Sequence, residues 1–154
     1  YYGSDKECSC SNQAINKYLG KISGPLLDRI DIQVEVSSVK YKNLNSNTQE
    51  ETSEQIRKRV EETREIQLER YKECGIYSNS ELTPKLIEKY CKLDEKSKII
   101  LEKAFNKLGL SARAYARILK VARTIADMNK STNIQSSHLL EAIQYRSLDK
   151  KYSR

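Results

Sequence analysis

The chain has 154 residues, 38% of them hydrophobic and 32% charged, with a net charge of +7, enough for one domain with a modest core. No Trp, one Phe, five Gly and two Pro exclude a turn-rich all-β fold, and no apolar run approaches the roughly 20 residues of a membrane span. Four unevenly spaced Cys exclude a disulfide framework; with no leader pattern read at the start, they predict a reducing, cytoplasmic setting.

The first ten residues read as a loop. A short helix is predicted after Ser11, with Ile15, Tyr18 and Leu19 on one face and Gly20 at its end. Residues 23–29 read as a turn and one helical turn. Ile30, Ile32, Val34 and Val36 then alternate with Asp31, Gln33 and Glu35, the period-2 pattern of a strand. A lone strand is not stable. Its partners must therefore be missing or come from another chain, and residues 1–36 are expected to be loosely held or paired with another molecule.

Residues 37–51 are polar and predict a linker. Thr52 and Gln55 form a capping-box pattern for a long helix to about Lys72, with Ile56 and Val60 on one side and Ile66 and Leu68 less regularly placed. Glu61, Glu65, Glu69 and Glu73 make an acidic stripe along it. Thr83-Pro84 starts a further helix, Asp94 caps another that Gly109 ends, and Ser111 caps one running to about Asn129. Ser136 or Ser137 is expected to cap the last, with Leu139, Ala142 and Ile143 inward. Residues 52–154 thus read as a helical bundle.

The charge is concentrated. Residues 111–130 hold Arg113, Arg117, Lys120, Arg123 and Lys130 against Asp127 alone. At about 100° per residue, Arg113, Arg117 and Lys120 fall in one stripe about 60° wide, and Arg123 lies roughly 80° from Arg113. Such a face is either solvated or turned to an anionic partner. Arg113 is best placed for a phosphate because the helix N-terminus adds partial positive charge beside it. Arg117 is the second candidate.

Two segments carry a family resemblance. One is Ser23-Gly24-Pro25-Leu26-Leu27-Asp28-Arg29-Ile30-Asp31. The other runs Leu110-Ser111-Ala112-Arg113-Ala114-Tyr115-Ala116-Arg117-Ile118-Leu119-Lys120-Val121-Ala122-Arg123-Thr124-Ile125-Ala126-Asp127, followed by His138-Leu139-Leu140-Glu141-Ala142-Ile143-Gln144-Tyr145-Arg146. Together they resemble the C-terminal part of the magnesium-chelatase-like ComM/YifB (competence protein) family of bacterial AAA+ ATPases, over residues 8–149. Weaker similarity reaches the chelatase ATPase subunit and minichromosome-maintenance helicases.

The resemblance implies a mainly α fold: an AAA+ C-terminal helical lid bundle, preceded by a remnant of the α/β core with one strand and short helices. It places the end of the core at 1–36, the linker at 37–51 and the lid at 52–154. It implies an ATP- and magnesium-dependent ring, of hexamer type, in which ATP sits between subunits. Arg29 would then be an arginine finger acting in trans, and Arg113, or Arg117, a nucleotide-sensing arginine acting in cis. An ion pair of Arg29 with Asp28 or Asp31 is the alternative for that residue. The sequence departs from the complete pattern: it contains no G-x-x-x-x-G-K-[ST] loop and no apolar strand ending in paired acids, so this chain alone is expected to be inactive.

Cys8 and Cys10 form half of a possible zinc site, and relatives carry a second C-x-C before this point; a structural site needs four ligands. Cys74 and Cys91 lack partner spacing, and His138 reads as a capping or packing residue rather than a ligand. DNA remodelling of the helicase or branch-migration type is implied by the competence-type members. The rival readings are a helical nucleic-acid-binding module, a protein-interaction module using the acidic stripe, and an ATPase subunit for metal insertion into a porphyrin. No membrane partner is expected.

Overall fold

The computed structural model describes residues 7–36 and 50–146. In chain order the elements are α1 (Asn12–Leu19), α2 (Gly24–Leu27), α3 (Ser53–Tyr71), a 3-10 turn (Asn79–Glu81), α4 (Pro84–Tyr90), α5 (Glu95–Leu108), α6 (Ala112–Met128) and α7 (Ser136–Gln144). The described residues are mainly helical. No helix among them is long and apolar enough to cross a membrane.

The helix ends follow local chemistry. Ser11, Asp94 and Ser111 accept hydrogen bonds from the backbone N–H groups of Ala14, Ser97 and Ala114, satisfying donors that a helix start leaves open. Thr52 and Gln55 close the expected capping box reciprocally. Gly109 ends α5 at φ 64°, the left-handed region that costs glycine no Cβ clash. The last helix starts one residue earlier than expected: its cap is Gln135, whose N–H donates to His138 Nδ1 at 3.1 Å.

α6 is the central helix, packing on α7, α3, α4 and the 3-10 turn. Its inward face carries Ala114, Ile118, Leu119, Ala122, Ile125 and Ala126, where the alanines let neighbouring helices approach closely. Leu139 and Ala142 of α7, Leu101 of α5, Ile87 of α4, Tyr71 of α3 and Leu82, Leu110 and Ile134 from the connections complete the core.

The apolar side of α3 is not its buried face. On α3, Ile56 and Val60 are exposed, and the buried stripe is Thr63, Gln67 and Tyr71 at i, i+4, i+8. Residues 53–61 of the helix are all exposed. Its second half docks through polar groups with partners: Gln67 Oε1 accepts from the Asn79 N–H at 3.1 Å, and the Tyr71 hydroxyl bonds Asn79 Oδ1.

The predicted strand is not formed either. Residues 32–36 carry no ladder, and Ile32, Val34 and Val36 are exposed, as expected where no second strand is described. Yet the N-terminal segment is not loose against the bundle. Leu27 is buried, and the Gln33 N–H donates to the Tyr145 carbonyl at 3.0 Å. Most of the predicted linker, residues 37–49, lies outside the described residues, as do 1–6 and 147–154 of the predicted end domains.

Candidate nucleotide-facing site

Four bases on α6 divide into two roles. Arg123 is 2% exposed. Its Nε donates to Asp127 Oδ1 at 3.1 Å, while Nη1 and Nη2 donate to the Thr132 and Ser131 carbonyls at 2.9 and 2.6 Å. It thereby ties the loop that follows α6 back onto the helix. Asp127, 1% exposed, also receives Arg70 of α3 in a two-pronged pair and Asn79 Nδ2 at 2.9 Å. The Asp127 carboxylate raises the Arg70 pKa against the burial that opposes it. The lone acid of the basic segment is therefore the hub that joins α3, the 3-10 turn and α6.

The other three bases line a cleft of about 520 Å³. Lys120 Nζ donates to the Ser80 carbonyl at 2.7 Å. Arg117 Nη1 pairs with Asp31, two residues beyond Arg29. Arg113 is exposed and makes no hydrogen bond or ion pair among the described residues. Asp31, Ile32, Met128, Glu141 and Tyr145 complete the wall, so the lid and the segment after Arg29 share this cleft. The helix start at Ser111 turns its open N–H groups toward the same end as Arg113.

Arg29 does not line the cleft. It follows α2, fully on the surface, with Nη1 donating to the Pro25 carbonyl at 2.7 Å. Neither neighbouring acid pairs with it: Asp31 bonds Arg117, and Asp28 lies 3.6 Å from Arg146 Nη2. Arg146, which the sequence reading quoted only within a motif, is 0% exposed and reaches back across α2. Its Nη1 donates to the Leu27 carbonyl at 3.1 Å and to the Ile30 carbonyl.

Cys8 is half-buried and Cys10 exposed, both as free thiols. The Cys10 backbone N–H holds the Cys8 thiol below its usual range. Two thiols suit half of a tetrahedral site, and the described residues hold no cluster of three or more ligating side chains. His138 is buried at the start of α7, and burial followed by Arg123 lowers its pKa, which keeps Nδ1 free to accept from Gln135.

The family description "Magnesium chelatase, subunit ChlI C-terminal" matches residues 50–146, and "Magnesium chelatase, subunit ChlI" matches residues 1–44. The chain belongs to the magnesium-chelatase-like ComM/YifB family. The competence protein ComM of Haemophilus influenzae is 49% identical over 139 residues, 90% of this chain and 26% of that protein. The uncharacterised protein YifB of Escherichia coli is 37% identical over 142 residues, 92% of this chain and 27% of that protein. An uncharacterised protein of Mycobacterium tuberculosis strain H37Rv is 30% identical over 141 residues, 92% of this chain and 28% of that protein. This ComM/YifB chain therefore spans about a quarter of the length of these curated relatives.

Proposed function

We propose that this chain supplies two arginines to the inter-subunit sites of a ring-forming AAA+ ATPase. One observation carries the reading: Arg29 and Arg113 stand exposed with no carboxylate partner, while the neighbouring Arg117, Arg123 and Arg146 each have one. Around the cleft and the turn before it, two arginines left uncompensated beside three that are paired suit anionic ligands supplied from outside.

The residues fit a polyphosphate in part. Arg113, beside the open N–H groups of a helix start, presents fixed donors to an anion. Lys120 and Arg117 add positive potential to the cleft wall while spending their closest contacts on protein. No phosphate-cradling loop is present in the sequence, so the remainder of the site belongs to protein outside this chain. ATP with magnesium supplies, when bound, the phosphoryl group and the charge that these arginines meet.

Arg29, on a turn stiffened by Pro25 and held from behind by Arg146, is presented outward toward a neighbouring subunit. A guanidinium in that position stabilises charge that builds only in the transition state, worth about 10³–10⁵ in rate in phosphoryl-transfer proteins. Arg113 meets an anion already in the ground state. In the full-length protein, Arg29→Ala should lower kcat for ATP hydrolysis at least about a hundredfold with nucleotide affinity nearly unchanged. Arg113→Ala should weaken nucleotide binding and turnover together. Wild-type hydrolysis by Arg29→Ala would refute the finger role.

DNA is the substrate this reading favours, in keeping with the resemblance to competence-type members, one of which is named a competence protein. Direct base stacking on α6 is not the route, since Tyr115 packs edge-on against Phe105 with ring centres 6.4 Å apart. A hexamer-type ring, a cytoplasmic setting and zinc at Cys8 and Cys10, completed by thiols outside this chain, belong to the same proposal.

A further inference from the structure

The finger turn is held from the lid, at both ends. Before Arg29, the buried Arg146 guanidinium donates to the Leu27 carbonyl, which also accepts from the Ile30 N–H at 3.0 Å. The same guanidinium faces the Asp28 carboxylate and donates to the Ile30 carbonyl. After Arg29, the Gln33 N–H bonds the Tyr145 carbonyl, and Asp31 pairs with Arg117. Residues 27, 28, 30, 31 and 33 are thus each tied to α6 or to the residues that follow α7, whereas the Arg29 side chain is exposed and bonds the Pro25 carbonyl of its own turn.

We propose that Arg146 is a positioning residue for Arg29, and that with Arg117–Asp31 it transmits movement of the lid to the finger. The inference rests on the reading of Arg29 as a finger. A buried arginine contacting two main-chain carbonyls fixes a backbone, not a side chain, so it sets the direction from which the finger projects. α6 carries both Arg113, which meets an anion in cis, and Arg117, which grips Asp31. Engagement of the lid by its own nucleotide is thereby coupled to the placement of the arginine serving the next subunit. Coupling of this kind runs through contiguous hydrogen-bonded contacts, here Arg117 on Asp31 and Arg146 on residues 27 and 30.

The test uses the full-length protein. Arg146→Lys keeps the charge but loses the two-pronged grip, and Asp31→Asn cuts the second tie at a half-exposed site where folding is not at risk. Amide exchange of residues 27–33 should accelerate at least tenfold in Arg146→Lys, with α6 unchanged. The kcat for hydrolysis should fall about tenfold to a hundredfold at constant KM, as for a misplacement of about 1 Å. Asp31→Asn should show the same pattern severalfold. The double variant Arg29→Ala/Arg146→Lys should hydrolyse no more slowly than Arg29→Ala, because a residue acting only through Arg29 has nothing further to lose. Unchanged exchange in both variants would overturn the clamp whatever the activity. Faster exchange with an additive loss in the double variant would overturn the transmission. If Arg29→Ala itself leaves hydrolysis intact, the finger reading fails and the coupling with it, while exchange still reports the clamp separately.

Discussion

Replacing Asp127 with alanine tests the hub of the lid. The carboxylate is 1% exposed and holds Arg70 through both nitrogens of its fork, one at 2.7 Å, Arg123 Nε at 3.1 Å and Asn79 Nδ2 at 2.9 Å. Removing one partner of a buried pair costs about 3–5 kcal/mol, because the remaining charge stays desolvated. Two features place this case at the lower end. The Arg70 side chain keeps 17% exposure and turns to water, and Arg123 keeps the Ser131 and Thr132 carbonyls. The expected loss is about 3 kcal/mol, a large part of the stability of about 5–15 kcal/mol for a domain of this size. Asp127→Asn keeps the shape and one acceptor and should lose about 2 kcal/mol, the scale of a charge-assisted hydrogen bond. Urea and thermal unfolding followed by circular dichroism reads both, the alanine variant melting about 15 °C lower. The exposed Glu51–Arg59 pair is the control, with an expected loss below about 0.5 kcal/mol on Glu51→Ala. An Asp127→Ala variant melting within about 3 °C of wild type would refute the hub.

Cys91 is buried and its thiol is pushed from 9.0 up to about 11 by desolvation. The native state therefore keeps the proton where the unfolded chain loses it. That contribution is complete below pH 9.0 and is lost as pH rises toward about 11, a dependence that Cys91→Ala should flatten in urea melts. His138 has the opposite sign: its lowered pKa means the unfolded chain protonates first as pH falls below 6.5. Stability should drop on that side, and His138→Gln should remove part of the drop in the same titration. Gly109→Ala meets no atom within 4 Å, so only the left-handed φ of 64° is penalised, and calorimetry should show a loss of about 1–2 kcal/mol.

The helices were legible because their signals are local. Thr52 with Gln55, Pro84, Asp94, Gly109 and Ser111 each act within one turn of the chain, and each marks an observed boundary. On α6 the helical period marks Ile118, Leu119, Ala122, Ile125 and Ala126 as buried, and they are, but Tyr115, which the same period includes, is 41% exposed. The face of α3 was not legible. Its buried residues are Thr63, Gln67 and Tyr71, which hydrophobic periodicity passes over, and their burial depends on Asn79 in another element. The strand pattern of residues 30–36 was real as a pattern, but a strand is a property of pairs, and the pairing partner is not among the described residues.

At the site, charge density on α6 pointed to the right helix but did not sort its members. Arg123 and Lys120 carry the same sequence signal as Arg113 and are committed to carbonyls of other elements. One clue was present: Asp127 is the single acid among those bases, and a lone acid in a basic amphipathic helix has a reason to be buried. Arg146 offered no such clue. Its partners at residues 27, 28 and 30 lie more than a hundred positions away, and no periodicity links them.

The central claim is that Arg29 serves a neighbouring subunit's nucleotide. Mixing rings of full-length Arg29→Ala with a variant whose phosphate-binding loop is disabled tests it most directly. Each parent alone should be inactive. In mixtures some interfaces pair an intact loop with an intact finger, so ATP hydrolysis should reappear and peak near equal proportions. If mixed rings demonstrably form and no proportion regains hydrolysis, Arg29 does not act in trans and the account is wrong at its centre.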